Sequence, residues 1–319
     1  MPFDKLCRLS LIFLIFMLLY GCDSAEMKPI TIGINPWPGY EFLYLAKEKG
    51  FYQAEGLPVK LVEYNSLSEV RRGYERGKLD AMAVTLVEVL QAKSYSARHP
   101  MVILIADFSY GGDVILARRG IKKIEDLKGK KVAADTASVP IFLLARALEQ
   151  ARLDLDDITL LPLEQTSMER EYINGKIDAI VTYPPISIRL QNRKDTHLLF
   201  SSKQIPGEII DVLAMDETVL NARPEAAGKI LRAWERALQY AKKNPADAYA
   251  IMAKREGIKT EEFADALQGL KLVSLKEQTE NFKHLASTLS KLRSVLIKTG
   301  TLPHDASEYC CIPGRVPGG

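Results

Sequence analysis

Between Asp23 and Tyr309 this 319-residue chain contains no cysteine. A disulfide-stapled body, a thiolate metal centre and a cysteine nucleophile are thereby excluded over that span. The body must rest on a hydrophobic core, which about 280 residues are enough to build. Histidine is scarce as well: His99, His197, His284 and His304 are scattered, with neither metal-ligand spacing nor a G-x-S-x-G motif to accompany them. No metal or cofactor is expected, and the converging groups that an enzyme needs are not evident. Charge of one sign is also lacking. Forty-three Lys and Arg face 40 Asp and Glu, a formal net charge of +3, too small to argue for nucleic acid. Beyond Tyr20 no apolar run reaches the roughly 20 residues that a membrane-spanning helix takes.

What is present begins with a leader. Lys5 and Arg8 precede Leu9 to Tyr20, an apolar run of about twelve residues, too short to span but suited to a secretory signal. Leu19-Tyr20-Gly21-Cys22 resembles a bacterial lipobox, although Tyr20 is bulky for its place. The resemblance implies removal of residues 1–21, lipidation of Cys22 and a short lipidated linker over 22–28. An uncleaved membrane anchor is the alternative, and both put the body outside the cytoplasm. Asp23 resembles the signal that keeps lipoproteins on the inner (cytoplasmic) membrane, facing the periplasm. At the other end "TLPHDASEYCCIPGRVPGG" (301–319) is turn-rich and reads as a flexible tail. Cys310 and Cys311 there are open to vicinal or intermolecular pairing, or to an irregular terminus.

The body repeats itself. "ITIGI" (Ile30 to Ile34) alternates as a strand; a loop, the helix through "FLYLAKEKG", the strand "PVKLVEY", the helix "SLSEVRRGYERG" and the strand "KLDAMAVT" follow. Downstream "KKVAAD", "TASVP", "IFLLARALEQA", "ITLLPLE", "SMEREYING" and "KIDAIVTYPP" return in the same order. The punctuation matches too: Gly77-Lys78-Leu79-Asp80-Ala81 against Gly175-Lys176-Ile177-Asp178-Ala179. Asp80 lies 46 residues after Ile34, and Asp178 lies 44 after Ala134. Two βαβαβ units predict an α/β chain of two lobes, each a sheet with helices on both faces. "DVILARR" (Asp113 to Arg119) leads out of the first unit and "DVLAM" (Asp211 to Met215) out of the second, as expected for two crossover strands forming a hinge. Pro224 to Lys243 reads as one long amphipathic helix carrying Trp234, with a further helix to about Arg255 after Asn244-Pro245. The expected division is lobe one over 29–112, lobe two over 113–210, and a hinge return with helices packing on lobe one over 211–300.

"INPWPGYEFLYLAKEKGFY", the paired "GKLDA" and "GKIDA", "DLKGKKVA" and "RPEAAGKILRAWERALQY" together resemble one family. It is the type II periplasmic substrate-binding proteins of ABC transporters, in the branch for nitrate, taurine, aliphatic sulfonates and thiamine-pyrimidine precursors. The resemblance runs from about Pro29 to Leu270. It implies a monomer whose interlobe cleft closes on a small molecule and presents it to the transmembrane subunits of an ABC permease. A sensor presenting its liganded shape to a signalling receptor is the alternative role. An enzyme of the pyrimidine-forming branch is a further one.

In open α/β sheets ligands bind beyond the carboxyl ends of strands, where helix N-termini point. The candidates there are Trp37 and Tyr40 as aromatic walls, Thr85 and Glu88 after the third strand, and Asp107, Ser109 and Asp113 at the crossing. From lobe two come Thr136, Ser138 and Tyr183. Trp37 could instead plug the lobe interior, Thr136 and Ser138 could merely cap a helix, and Glu88 could merely answer a helix dipole. Asp113 could merely brace the crossover. Glu41, Glu88, Asp107, Asp113 and Asp135 lie near strand tips with no Lys or Arg beside them in sequence. Since a buried anion needs partners, an amine-bearing or neutral heteroaromatic ligand is expected rather than a sulfonate or nitrate.

Overall fold

The structure is a computed structural model that describes residues 27–306 and 311–312. The leader, Cys22 with its lipidation, and Cys310 lie outside the described residues. The strands are β1 (Ile30–Ile34), β2 (Val59–Glu63), β3 (Ala81–Thr85), β4 (Pro100–Ser109), β5 (Val114–Arg118), β6 (Lys131–Ala134), β7 (Thr159–Pro162), β8 (Ala179–Thr182), β9 (Thr196–Ser201), β10 (Ile210–Asp216) and β11 (Leu270–Leu272). They make a six-stranded sheet, β11-β4-β10-β3-β1-β2, and a five-stranded sheet, β7-β6-β8-β5-β9. β1, β2 and β3 pair in parallel, as do β6, β7 and β8. Antiparallel β10 lies beside β3, and antiparallel β5 beside β8.

This arrangement explains the likeness of "DVILARR" and "DVLAM". Each is the antiparallel strand next to the third parallel strand of its own sheet, so the two are equivalent members of a duplicated lobe. The crossings are the loops that precede them, 110–113 and 202–209. Asp113 and Asp211 therefore stand at equivalent corners, both at the end where the parallel strands finish.

The repeat's glycines and aspartates have one structural job. Gly77 and Gly175 take φ of +70° and +79°, a left-handed turn that side chains with a Cβ resist. The turn returns the chain into the third strand. Asp80 Oδ2 then accepts from the Thr31 amide (2.8 Å) and hydroxyl (2.7 Å), and Asp178 Oδ2 accepts from the Lys131 amide (2.9 Å). An arginine completes each base. Arg98 Nη1 donates to the carbonyls of Tyr74 and Leu79 (both 2.8 Å) and stacks over the Tyr74 ring. Arg118 donates to the carbonyls of Tyr172 and Ile177 and stacks over the Tyr172 ring.

The long helix is Glu225–Lys243. Fully buried Trp234 meets Phe42 edge-on at 5.7 Å and donates Nε1–H to the Val273 carbonyl (3.0 Å). Between Arg255 and residue 300 the sequence predicts helices without giving their bounds. Helices Thr260–Leu267, Leu275–Phe282 and Leu285–Lys298 follow, and the last packs on the lobe-one helix Leu86–Tyr95 and on the lobe-two helix Val139–Gln150. The stretch from Thr301, read from sequence as a flexible tail, is packed where the chain is described. Leu302, Ala306 and Cys311 are buried, the Val102 amide donates to the Cys311 carbonyl (2.8 Å), and Cys311 is disulfide-bonded. Backbone bonds and a few small apolar contacts hold this segment without any helical or strand period.

Candidate ligand cleft

The carboxyl ends of the parallel strands in the two lobes face one another, and nine of the ten sequence-derived candidates are buried there; Thr136 is half-buried. The Pro36–Gly39 loop is a tight turn in which the Tyr40 and Glu41 amides both donate to the Trp37 carbonyl. It aims Trp37 across the cleft. The indole meets Tyr183 of lobe two edge-on, at 6.1 Å and 84°, and Tyr40 at 6.4 Å, and its Nε1–H donates to Asp107 Oδ2 (3.3 Å). Gly39 is required by closeness: a Cβ there would lie 1.9 Å from Asp107 Oδ2. Trp37 is only 3 % exposed, yet part of its cover is the other lobe. It is neither a plug inside one lobe nor an open wall; it is a surface that the two lobes share.

Asp107 and Ser109 belong to the end of β4 rather than to a loop. That strand pairs antiparallel with β10 and sets Asp107 directly opposite Asp211. Like charges facing across a strand pair repel. Burial pushes both carboxyls above their ordinary range; the Asp107 and Asp113 charges raise Asp211 further, whereas the Trp37 and Asp211 side chains pull Asp107 part of the way back. Tyr40 donates its hydroxyl to Asp211 Oδ1 (2.5 Å). Asp107 Oδ1 and Asp211 Oδ2 are left without a hydrogen-bond partner. Asp113 is pushed up to about 7 by burial, with Ser109 bonding pulling down and Glu88 pushing up. Ser109 Oγ accepts from the Asp113 amide (3.2 Å) and bonds Ser202 Oγ (2.8 Å), so it braces the two crossings.

Glu88 does more than answer a dipole. One oxygen closes a capping box with Thr85, accepting from its amide (2.9 Å) and hydroxyl (2.6 Å). The other crosses the cleft and accepts from Ser138 Oγ (2.7 Å) and the Val139 amide (2.9 Å). Ser138 precedes the helix Val139–Gln150 but makes no side-chain cap; its hydroxyl goes to Glu88 instead. The reverse exchange is made by Ser68 Oγ, which donates to Asp135 Oδ2 (2.8 Å), while the Leu67 amide donates to the Tyr183 hydroxyl (3.4 Å). Arg72 and Glu164 add an exposed pair at 2.9 Å, worth only about 0–1 kcal/mol.

Two parts of the sequence reading change. Glu41 leaves the group of unpaired acids, because Arg255 binds its Oε1 at 2.7 Å. Asp211 joins it. The signal for Asp211 was present in the match between "DVLAM" and "DVILA", which puts an aspartate at the same corner of each lobe. Among the described residues none of Glu88, Asp107, Asp113 and Asp211 has an ion pair with Lys, Arg or His. No cluster of His, Cys, Asp and Glu able to hold a metal occurs among the described residues either.

Two duplicated α/β lobes, joined by two crossings and facing each other at their strand ends, are the type II periplasmic-binding-protein fold. The alkanesulfonate-binding protein SsuA from Xanthomonas axonopodis pv. citri, solved with MOPS, has the same fold. Its TM-score is 0.74 at 17 % identity, over 91 % of this chain and 99 % of that one. The chain belongs to the NMT1/THI5-like family, which it matches over residues 37–248. It is 24 % identical to a putative aliphatic sulfonates-binding protein of Bacillus subtilis (strain 168), over 74 % of this chain and 75 % of the relative. It is also 27 % identical to a 4-amino-5-hydroxymethyl-2-methylpyrimidine phosphate synthase of Aspergillus parasiticus, over 66 % of each.

Proposed function

We propose that the chain is an exported, lipid-anchored solute-binding protein that captures a small amine-bearing or neutral heteroaromatic molecule between its lobes and delivers it to an ABC permease. The observation that carries the ligand class is the set Glu88, Asp107, Asp113 and Asp211, buried beside Trp37, Tyr40 and Tyr183 without a cationic partner among the described residues. Two buried carboxyls with orphan oxygens offer acceptors to an N–H or an ammonium, and the aromatic faces suit a ring or a cation. The Bacillus subtilis relative is named for sulfonates, but a sulfonate here would meet four acids and no base. Membership of a family of solute-binding folds supports the transport role, and Cys22 in its lipobox-like setting supports the anchor.

The synthase named among the relatives motivates an enzyme as the second reading. Against it, His99, His284 and His304 are exposed and His197 lies on β9, all away from the cleft residues. Native mass spectrometry of the purified protein should reveal a co-purified small molecule. Titration calorimetry should then show tight binding of an amine or heteroaromatic and none of a sulfonate or nitrate. The opposite preference would refute the ligand class. Retained uptake after deletion of the gene would refute the transport role.

A further inference from the structure

The end of a helix where N–H groups are free attracts anions. Val139–Gln150, twelve residues long, points that end into the cleft. The place is already taken. Glu88 Oε1, carried by the opposite lobe, accepts both the Val139 amide and the Ser138 hydroxyl, while its Oε2 is held by two donors from Thr85. The carboxylate and Ser138 are both buried, and burial pushes the Glu88 carboxyl up against the pull of those donors.

We propose that Glu88 is a built-in counter-ligand: it occupies the anion-binding end of the lobe-two helix, which excludes anionic solutes from the cleft and latches the lobes together. The inference rests on the reading of the interlobe cleft as the ligand site. An incoming sulfonate or carboxylate would have to expel Glu88 and leave a second buried negative charge next to Asp113, Asp107 and Asp211. A cationic or neutral ligand leaves Glu88 in place and gains its field. Glu88 is thus a specificity residue acting by repulsion, and Asp135 on Ser68 makes the matching contact in the other direction.

The test compares wild type with Glu88→Ala, Glu88→Gln and Ser138→Ala, using 1-butanesulfonate and benzylamine as calorimetric probes. Closure is read by acrylamide quenching of Trp37 in a Trp234→Phe background, since the chain has two tryptophans. Wild type should give no butanesulfonate binding up to about 1 mM, and Glu88→Ala should gain it by about tenfold or more. Trp37 should become about threefold easier to quench in Glu88→Ala and Ser138→Ala as the latch opens the shared surface. Glu88→Gln keeps an acceptor for the Thr85 cap, so it covers the case in which Glu88→Ala fails to fold, and it should also gain the sulfonate. Folded variants with no gain of sulfonate and unchanged quenching overturn the inference. Tight sulfonate binding by wild type overturns it together with the proposed ligand class. If wild type binds neither probe and the Glu88 variants gain butanesulfonate, the inference stands and only the amine preference falls.

Discussion

Asp113→Asn combined with a change of pH isolates the acidic cleft. Burial pushes the Asp113 carboxyl up to about 7, whereas an aspartate in an unfolded chain titrates near about 3.9. Between those values the folded protein holds a proton that the unfolded chain has lost. The stability this confers is therefore fully present below about pH 4 and lost as pH rises through about 7. Integrated from pH 5 to pH 8, the loss from Asp113 alone is about 2.5 kcal/mol, or roughly 5–10 °C in Tm for a body of this size. Asp107, Asp211 and Glu88, also raised by burial, act in the same sense. Acids held low by partners, such as Asp216 and Glu208, are ionised throughout this range and add little slope. Calorimetric melts of the ligand-free protein at pH 5, 6, 7 and 8 should fall with pH in wild type and fall less in Asp113→Asn by about that amount. A wild-type Tm that rises over the range, or two parallel curves, would refute the reasoning.

Trp37→Ala should weaken ligand binding by about 100-fold while lowering the Tm of the empty protein less than Trp234→Ala, because Trp234 is enclosed within lobe one alone; truncating a core Trp costs about 3–5 kcal/mol. Equal damage to both, measured by calorimetry and melting, would return Trp37 to the core. Gly39→Ala should abolish ligand binding in titrations, since its methyl group displaces the Asp107 carboxylate; unchanged affinity would show that Asp107 is not used. Asp80→Ala removes the acceptor for both Thr31 donors and should cost about 1–3 kcal/mol in urea unfolding, with ligand affinity unchanged because it stands at the far end of its strand.

The duplicated βαβαβ order, the long helix with Trp234 and the strand-end loops were all legible, because each rests on local periodicity and punctuation that recurs. What was not legible depends on partners distant in the chain. Arg255 neutralises Glu41 across 214 positions, and no local pattern announces that. Asp211 matters because antiparallel pairing sets it opposite Asp107, a register that only the assembled sheet defines. Ser138 reads equally as a cap or as a cleft residue, since serine before a helix commonly caps it; a carboxylate from the other lobe takes its hydroxyl. The sequence places Asp107 at the crossing, whereas it is carried by the strand "PMVILIADFS", which begins with proline and lacks alternation.

The two lobe bases repeat each other almost group for group: a left-handed glycine, an aspartate tying down the first strand, and an arginine gripping two carbonyls over a tyrosine. The opposite ends have diverged, with lobe one supplying Glu88, Asp107 and Asp211 and lobe two a helix end and Tyr183. On the proposed reading of the cleft, foldability and selectivity are written at opposite poles of the same strands. Substitutions at the cleft pole can change what the protein accepts while the other pole goes on specifying how each half closes on itself. Such a division leaves a duplicated scaffold free to acquire new cargoes without having to relearn its fold.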